Sequence, residues 1–579
     1  MIQTIKRGRV ALALGAALAA GAAVGLTLKA HPAQAQGAAC PGDNGGLVLS
    51  PGFCATIFAD NLGHVRHMAL APDGAIYVNT WSGRYYAGSA PPTGPFLIAL
   101  KDTKGSGKAD MVQRFGETPA DGAAGGTGIA IYKGAVYAEV NDKIVKYAMG
   151  PGGAVPTGKP QVVLSGMPLG GDHPMHPFII DAKGQIFVDM GTATNSCQAE
   201  NRKAGIPGAD PCTEKETRGG TWKYDANKLD QKFSAAERYA TGLRNGEGFA
   251  FDSAGRLFVT QHGRDQLPAN WPKLYTDLAH ATELPAEELV LETPGADFGW
   301  PNCYYDNFQK KLVLAPEYGG DGGKTVGVCA SKQAPVAAFP AHWAPNDLAI
   351  YNAKAFPAPY QGGAFIAFHG SWNRAPEPQA GYNVVYQPLQ GGKASGDYVV
   401  FADGFSGGIR DPAKAKYRPT GLLVGPDGAL YISDDVKGRI WKVTYHGPTG
   451  LTKIASAPEA PAAAASSANA LAPENGGLPT PPGSTREQVV AGQKLFQGQT
   501  CTGCHGKDGG GTPLGPDLTS GKWLWGDGSL ASIKSTIANG VPMPKQYRAA
   551  MPANGGAQLS ASDLDQVAAY VWAIGHRSK

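Results

Sequence analysis

One short phrase recurs along the chain and limits its fold more than any other feature. A Gly turn feeds an alternating apolar strand in Pro72-Asp73-Gly74-Ala75-Ile76-Tyr77-Val78, Lys183-Gly184-Gln185-Ile186-Phe187-Val188, Ala254-Gly255-Arg256-Leu257-Phe258-Val259 and Pro426-Asp427-Gly428-Ala429-Leu430-Tyr431-Ile432. Weaker copies stand at Lys133-Gly134-Ala135-Val136-Tyr137 and Gln361-Gly362-Gly363-Ala364-Phe365-Ile366. The six copies spread irregularly from Cys40 to about Tyr445, and repetition of one strand unit over such a length points to radial β architecture. Six blades of about 68 residues fit this span, whereas a β-sandwich needs neither the length nor the repetition. The 81 Gly and 45 Pro among 579 residues supply the many turns such a fold requires. An all-β six-bladed β-propeller is therefore expected over residues 40–445.

Charge and composition remove other classes. With 42% hydrophobic and 17% charged residues the chain is not disordered. Its net charge of +4 is carried by Lys6, Arg7, Arg9 and Lys29, so the remainder offers no basic field for nucleic acid. Those cations flank the Ala/Leu/Gly-rich run Val10 to Leu28, and Ala33-Gln34-Ala35 follows with small residues. This is the pattern of a secretory signal over residues 1–35, which implies a periplasmic protein with no stable membrane span after cleavage; an uncleaved anchor is the alternative. Of the eight Cys, six fall in neighbouring pairs, Cys40/Cys54, Cys197/Cys212 and Cys303/Cys329. Six Cys allow fifteen connectivities, and three local disulfides are the expectation in an oxidising compartment.

From His446 to Gly483 the composition turns to Ala, Pro, Ser and Gly, as a linker does. A flexible tether of that length spans roughly 30 to 37 Å, enough for an attached domain to swing over the propeller. Ser484-Thr485-Arg486-Glu487 then reads as a capping box opening a helix with Val489, Gly492 and Phe496, the start of a small all-α domain over 484–579. Within it lies Cys501-Thr502-Gly503-Cys504-His505. Two thiols at this spacing add to the two vinyl groups of haem and the adjacent His binds the iron, giving haem c.

With these residues, Gly515-Pro516-Asp517-Leu518, a Met-Pro dipeptide and a last helix containing Ala569-Tyr570-Val571, the domain resembles class I cytochromes c. Met543-Pro544 and Met551-Pro552 both offer a sixth ligand; by the resemblance Met551, eight residues before Leu559-Ser560, joins His505 on the iron. Trp523 and Trp525 are candidates to wall the haem edge.

A haem carrier implies that the propeller supplies electrons, yet residues 40–445 carry no nucleotide fingerprint. Instead Gly171-Asp172-His173-Pro174-Met175-His176, Gly242-Leu243-Arg244-Asn245, Gln261-His262-Gly263-Arg264-Asp265 and Asp297-Phe298-Gly299-Trp300-Pro301 resemble the glucose/sorbosone dehydrogenase family. The phrases His369-Gly370-Ser371-Trp372-Asn373-Arg374 and Arg418-Pro419-Thr420-Gly421 look closer to the sorbosone branch. The resemblance implies a six-bladed propeller that binds pyrroloquinoline quinone and calcium on its axis. It places His173 as general base, Arg244 and Asn245 beside the reacting quinone carbonyl, and His262 and Arg418 among the cofactor contacts. Calcium would be held by the backbone carbonyls of Gly263 and Arg264, and His176 is left structural. Thr420 departs from the Arg of the glucose type, so cofactor contacts differ there.

The chemistry suits these residue types: a neutral imidazole accepts a hydroxyl proton near neutral pH, and a fixed guanidinium stabilises charge gained by a quinone oxygen. The expected protein is a quinohaemoprotein dehydrogenase that oxidises a sugar, sugar-derived aldehyde or alcohol and passes electrons through its haem to a respiratory acceptor. The alternatives are a calcium-dependent lactonase-like propeller hydrolase, which would use a central carboxylate cluster, and a non-catalytic docking module for the cytochrome.

Overall fold

The computed structural model describes residues 40–80, 95–116, 126–149, 155–156, 158–374, 377–412, 414–460, 478–498, 501–506, 508–511, 515–541, 543–547, 551–557 and 559–577. The expected signal over 1–35 and the linker stretch 461–477 lie outside the described residues.

Six antiparallel sheets form the blades of a propeller. Their innermost strands are Val65–Leu70, Ile129–Tyr132, Phe178–Ile180, Gly246–Phe251, Pro345–Ile350 and Pro419–Val424. Each inner strand pairs with a second strand, Ile76–Thr80, Ala135–Val140, Gln185–Met190, Leu257–Gln261, Ala364–Phe368 and Leu430–Asp434, through a short turn in every blade except the fifth, where a longer loop with a 3-10 turn at Ala358–Tyr360 intervenes. All six copies of the repeated phrase, weak ones included, form these second strands. The turn Gly has a physical reason at Gly428, where φ is +75° and a Cβ would stand 2.6 Å from that of Ala355.

The ring closes through strand Phe53–Ala59, which pairs antiparallel with the last blade's Ile440–Tyr445 from Phe53↔Tyr445 onward. An N-terminal strand completing the C-terminal blade leaves no open seam, and aromatic rings weld it to the neighbouring blade: Phe53 packs edge-on against Phe356 and Phe401, at 4.8 Å in each case. Disulfides join Cys40–Cys54, Cys197–Cys212 and Cys303–Cys329, the local pairing expected.

The segment after the last blade is tied down further than its composition implies. Ala457 N donates to Val400 O at 2.7 Å, Ser50 Oγ donates to Ala455 O at 2.8 Å, and Leu451 and Ile454 pack on the core. The free tether expected from His446 is thus held against the propeller to about Ala460, because its backbone groups find partners there.

The C-terminal domain is helical, with helices Arg486–Gly498, Cys501–His505, Leu530–Asn539 and Ala561–Gly575. Gly492 lets the first helix cross the last at Gln566 and Tyr570, and Phe496 meets Tyr570 edge-on at 5.3 Å. The capping box forms one residue later than expected. Thr485 Oγ1 accepts from Gln488 N at 3.3 Å, while Thr485 N donates to Gln488 Oε1 at 2.9 Å.

Candidate active site

The chemistry-bearing residues of the propeller gather at one end of its axis, where inner strands begin and second strands finish. In four blades the register shifts there, between Val65 and Met68, Gly246 and Phe249, Pro345 and Asp347, and Pro419 and Gly421. Such bulges unpair and re-aim the strand starts, which carry Arg66, Asn245–Glu247, Asn346 and Thr420.

His173 sits on the loop before the third blade. Its Nδ1 lies 2.9 Å from Thr192 O, an acceptor only, so Nδ1 carries the proton and Nε2 keeps a lone pair. Burial first, then the Arg244 charge, lower its pKa well below the usual 6.5, and Arg202, His262 and Asp265 also act on it. Asn245 is its neighbour, since a Cβ on Gly191 would touch both His173 Cβ and Asn245 Oδ1. His262, held at 3.2 Å from Pro345 O, is lowered by burial and Arg244 to a pKa of about 3. His173, Arg244, Asn245 and His262 are therefore brought together, beside a pocket lined by Arg244, Gln261, His262, Gly263, Arg264 and Trp300.

Arg244 is 3% exposed, with Nη1 donating to Gly263 O at 2.9 Å and Nη2 to Asp265 Oδ2 at 2.7 Å. Asp265 is the hub of this corner and sequence reasoning gave it no role, although it closes the phrase that carries His262. It also accepts from Arg202 Nη2 at 2.9 Å and Asn373 Nδ2 at 2.6 Å, and these cations hold its carboxyl well below the usual range despite burial. Arg202, which also binds Asp172 through Nε at 2.9 Å, had no sequence signal: it lies in the loop closed by Cys197–Cys212. Arg418 stands across the mouth, donating to His369 O and Gly370 O at 2.9 and 2.8 Å. Its backbone N donates to Asp434 Oδ1 at 2.7 Å. Deeper on the axis Arg66 bridges Asp435 at 2.9 Å and Glu247 at 3.4 Å, and burial lifts Glu247 to about 7. His176 is structural as expected: its backbone N donates to Glu139 Oε1 at 2.8 Å and Nε2 meets Pro168 O at 3.1 Å.

Buried Arg244 Nε, Asn245 Oδ1 and Asn373 Oδ1 have no partner among the described residues, and Arg244, Arg202 and Arg418 converge on the mouth. The orphaned Arg244 Nε–H donor among clustered guanidinium groups suits a planar polycarboxylate such as the quinone, whose carboxylates only accept. The Gly263 and Arg264 backbone carbonyls expected to hold calcium belong to the same corner, where the Gly263 carbonyl also accepts from the Arg244 guanidinium at 2.9 Å.

In the helical domain, an apolar pocket is lined by Cys501, Cys504, His505, Trp523, Trp525 and Met551. His505 Nδ1 lies 3.0 Å from Pro516 O, which leaves Nε2 to face the pocket, the usual arrangement of a metal-binding imidazole. Met543 is 82% exposed, whereas Met551 packs on the domain core.

A family model described as TrAA12-like matches residues 47–446. The chain belongs to the TrAA12-like family. Residues 489–575 match the cytochrome c family model, so the TrAA12-like propeller carries a cytochrome c domain. A pyrroloquinoline quinone-dependent pyranose dehydrogenase of Coprinopsis cinerea is 29% identical over 229 residues, 34% of this chain and 30% of that protein. An uncharacterised protein of Borreliella burgdorferi is 28% identical over 228 residues, 38% of this chain and 51% of its own length. The match thus spans about half and about a third of these curated relatives. The cbb3-type cytochrome c oxidase subunit FixP of Azorhizobium caulinodans is 39% identical over 80 residues, 14% of this chain and 27% of that subunit. Among solved structures, the quinone domain of the Coprinopsis cinerea pyranose dehydrogenase has a TM-score of 0.54 at 18% identity, covering 69% of this chain and 97% of that one. A Trichoderma reesei enzyme of carbohydrate-active family AA12 has a TM-score of 0.54 at 18% identity, covering 69% and 98%. At that identity these two establish the propeller fold.

Proposed function

We propose that this protein is a quinohaemoprotein dehydrogenase: the propeller oxidises a sugar, sugar-derived aldehyde or alcohol with pyrroloquinoline quinone, and the cytochrome domain carries the electrons away to a respiratory acceptor. The observation that carries this reading is the buried His173 imidazole, fixed by Thr192 O so that Nε2 keeps its lone pair, within the field of the Arg244 charge. The named activity of the Coprinopsis cinerea relative adds support. Export to the periplasm is part of the proposal, supported by the basic and apolar start of the chain and by three disulfides.

Held by Arg244, Arg202 and Arg418, the quinone would supply a hydride acceptor for the substrate carbon. The chain's own residues do the rest. His173 Nε2 takes the hydroxyl proton, while Thr192 O holds the ring in the required tautomer. Arg244 places its unpartnered Nε–H donor at the face where negative charge develops, and Asn245 stands beside it with Nδ2 donating to Glu247 Oε1 at 3.2 Å. Arg202 and Arg418 orient carboxylates, and His262 is kept neutral by burial so that it packs without adding charge. A lactonase-like hydrolysis would need axial carboxylates converging on a metal. Three of the acids there are instead spent, Asp435 and Glu247 on Arg66, and Glu139 on the backbone amides of Thr127, Gly128 and His176.

The test is a dye-reduction screen of aldoses, aldehydes and alcohols with and without added quinone. Turnover that requires quinone is expected; hydrolysis of lactones, or no turnover of any such donor, would refute the reading. Cys501 and Cys504 would hold the haem through thioethers, and His505 and Met551 would bind its iron. Met551→Ala is expected to remove the Met-to-iron absorption band, and Met543→Ala to leave it in place. The opposite result would move the ligand to Met543.

A further inference from the structure

The haem-bearing helix does not hang free on its tether; it rests on the mouth of the propeller. A Cβ on Gly503, the third residue of the Cys501–His505 motif, would lie 2.7 Å from Trp372 O and 2.8 Å from the Trp372 ring. Only Gly permits that approach. The Arg202 guanidinium also lies over Trp372, 5.9 Å from the ring centre. Arg202 is ion-paired with Asp265, which also holds Arg244. At the rim, Lys414 Nζ meets Asp508 Oδ2 at 2.7 Å. An exposed pair of this kind adds little affinity, but it orients the two domains.

We propose that this contact is the electron-transferring state of the protein, with Trp372 the bridge between the quinone face, through Asp265 and Arg202, and the Cys504 thioether of the haem. The inference rests on the oxidoreductase reading above. Oxidising one alcohol to a carbonyl releases two electrons and two protons. One ferric iron accepts one electron and becomes ferrous. The docked haem must therefore pass its first electron to an external one-electron acceptor, such as a second haem protein, before it takes the other; the protons leave to solvent. The haem acts while docked, with no need to swing across the span its tether allows.

The test uses the full-length, haem-loaded chain. In Lys414→Cys/Asp508→Cys, a short bismaleimide is expected to cross-link the two domains even without quinone, a direct reading of the contact. A failure to cross-link would overturn it. With quinone and substrate, the locked protein is expected to reduce its haem at least as fast as the unlocked one. If locking abolishes haem reduction while ferricyanide is still reduced, docking is not the transferring state. Trp372→Ala, which touches neither His173 nor Arg244, is expected to slow haem reduction by about tenfold, or about 1.4 kcal/mol of barrier, with ferricyanide turnover unchanged. An unchanged haem rate would remove Trp372 from the path. Gly503→Val is expected to lower the cross-link yield, and an undiminished yield would contradict the packing argument. Silence toward every acceptor would instead refute the oxidoreductase reading, and with it the role of Trp372, while the cross-link still judges the contact.

Discussion

Replacing His173 by Ala is expected to lower turnover by about 10²- to 10⁴-fold, the usual contribution of a positioned base, with quinone binding nearly intact. The imidazole touches Thr192 rather than any of the guanidinium groups that would anchor the cofactor, which is why binding survives. Its pH signature has a definite sign. Burial and the Arg244 charge lower the His173 pKa well below 6.5, so the ring is neutral and basic at neutral pH and is silenced only by protonation at lower pH. The acid limb of kcat/KM is expected below pH 6.5 in the wild type and absent from the residual activity of His173→Ala. A limb that persists unchanged in the variant would assign the base elsewhere.

The second large effect falls on Arg244. Arg244→Ala removes a buried donor at the site of developing charge, and such donors contribute about 10²- to 10³-fold in turnover. It also withdraws the Nη2 bond to Asp265 and the Nη1 bond to Gly263 O, so Asp265 is left to Arg202 and Asn373. Arg244→Lys keeps the charge but cannot serve both acceptors with one compact ammonium, and it is expected to recover only part of the loss. Steady-state turnover and quinone titration of the two variants separate catalysis from cofactor binding. Near-normal turnover in both Arg244→Ala and His173→Ala would mean that hydride transfer at this face is not the reaction.

Much of the architecture was legible because it is repeated. Each Gly-turn phrase forms the second strand of a blade, since a residue at positive φ and an alternating apolar strand are local demands that sequence expresses directly. His173, Arg244, Asn245 and His262 were found through phrases near strand ends, and the fold brings those ends to one mouth. Asp265 and Arg202 were not found. Their roles arise from an ion-pair network between a disulfide-closed loop and the fourth blade, a long-range contact that no spacing encodes. Nor does spacing show which side chain reaches a backbone carbonyl: Gly263 O, an expected calcium ligand, also accepts from Arg244. The tether was overread from its composition, because Ala457 N and Ser50 Oγ find their partners only once the fifth blade has formed. Trp372 was quoted only as part of a phrase, and its contact with Gly503 exists only across two domains.

The central claim is that one chain joins quinone-dependent oxidation to a covalent haem. Its most direct measurement is an anaerobic absorption spectrum of the haem-loaded protein, recorded before and after substrate with and without added quinone, at several protein concentrations. The expected result is haem reduction only when both quinone and a sugar, aldehyde or alcohol are present, at a rate independent of protein concentration because the donor and acceptor are tethered and docked. Haem that stays oxidised while a dye is reduced, or that is reduced at a rate rising with protein concentration, would contradict an intramolecular relay.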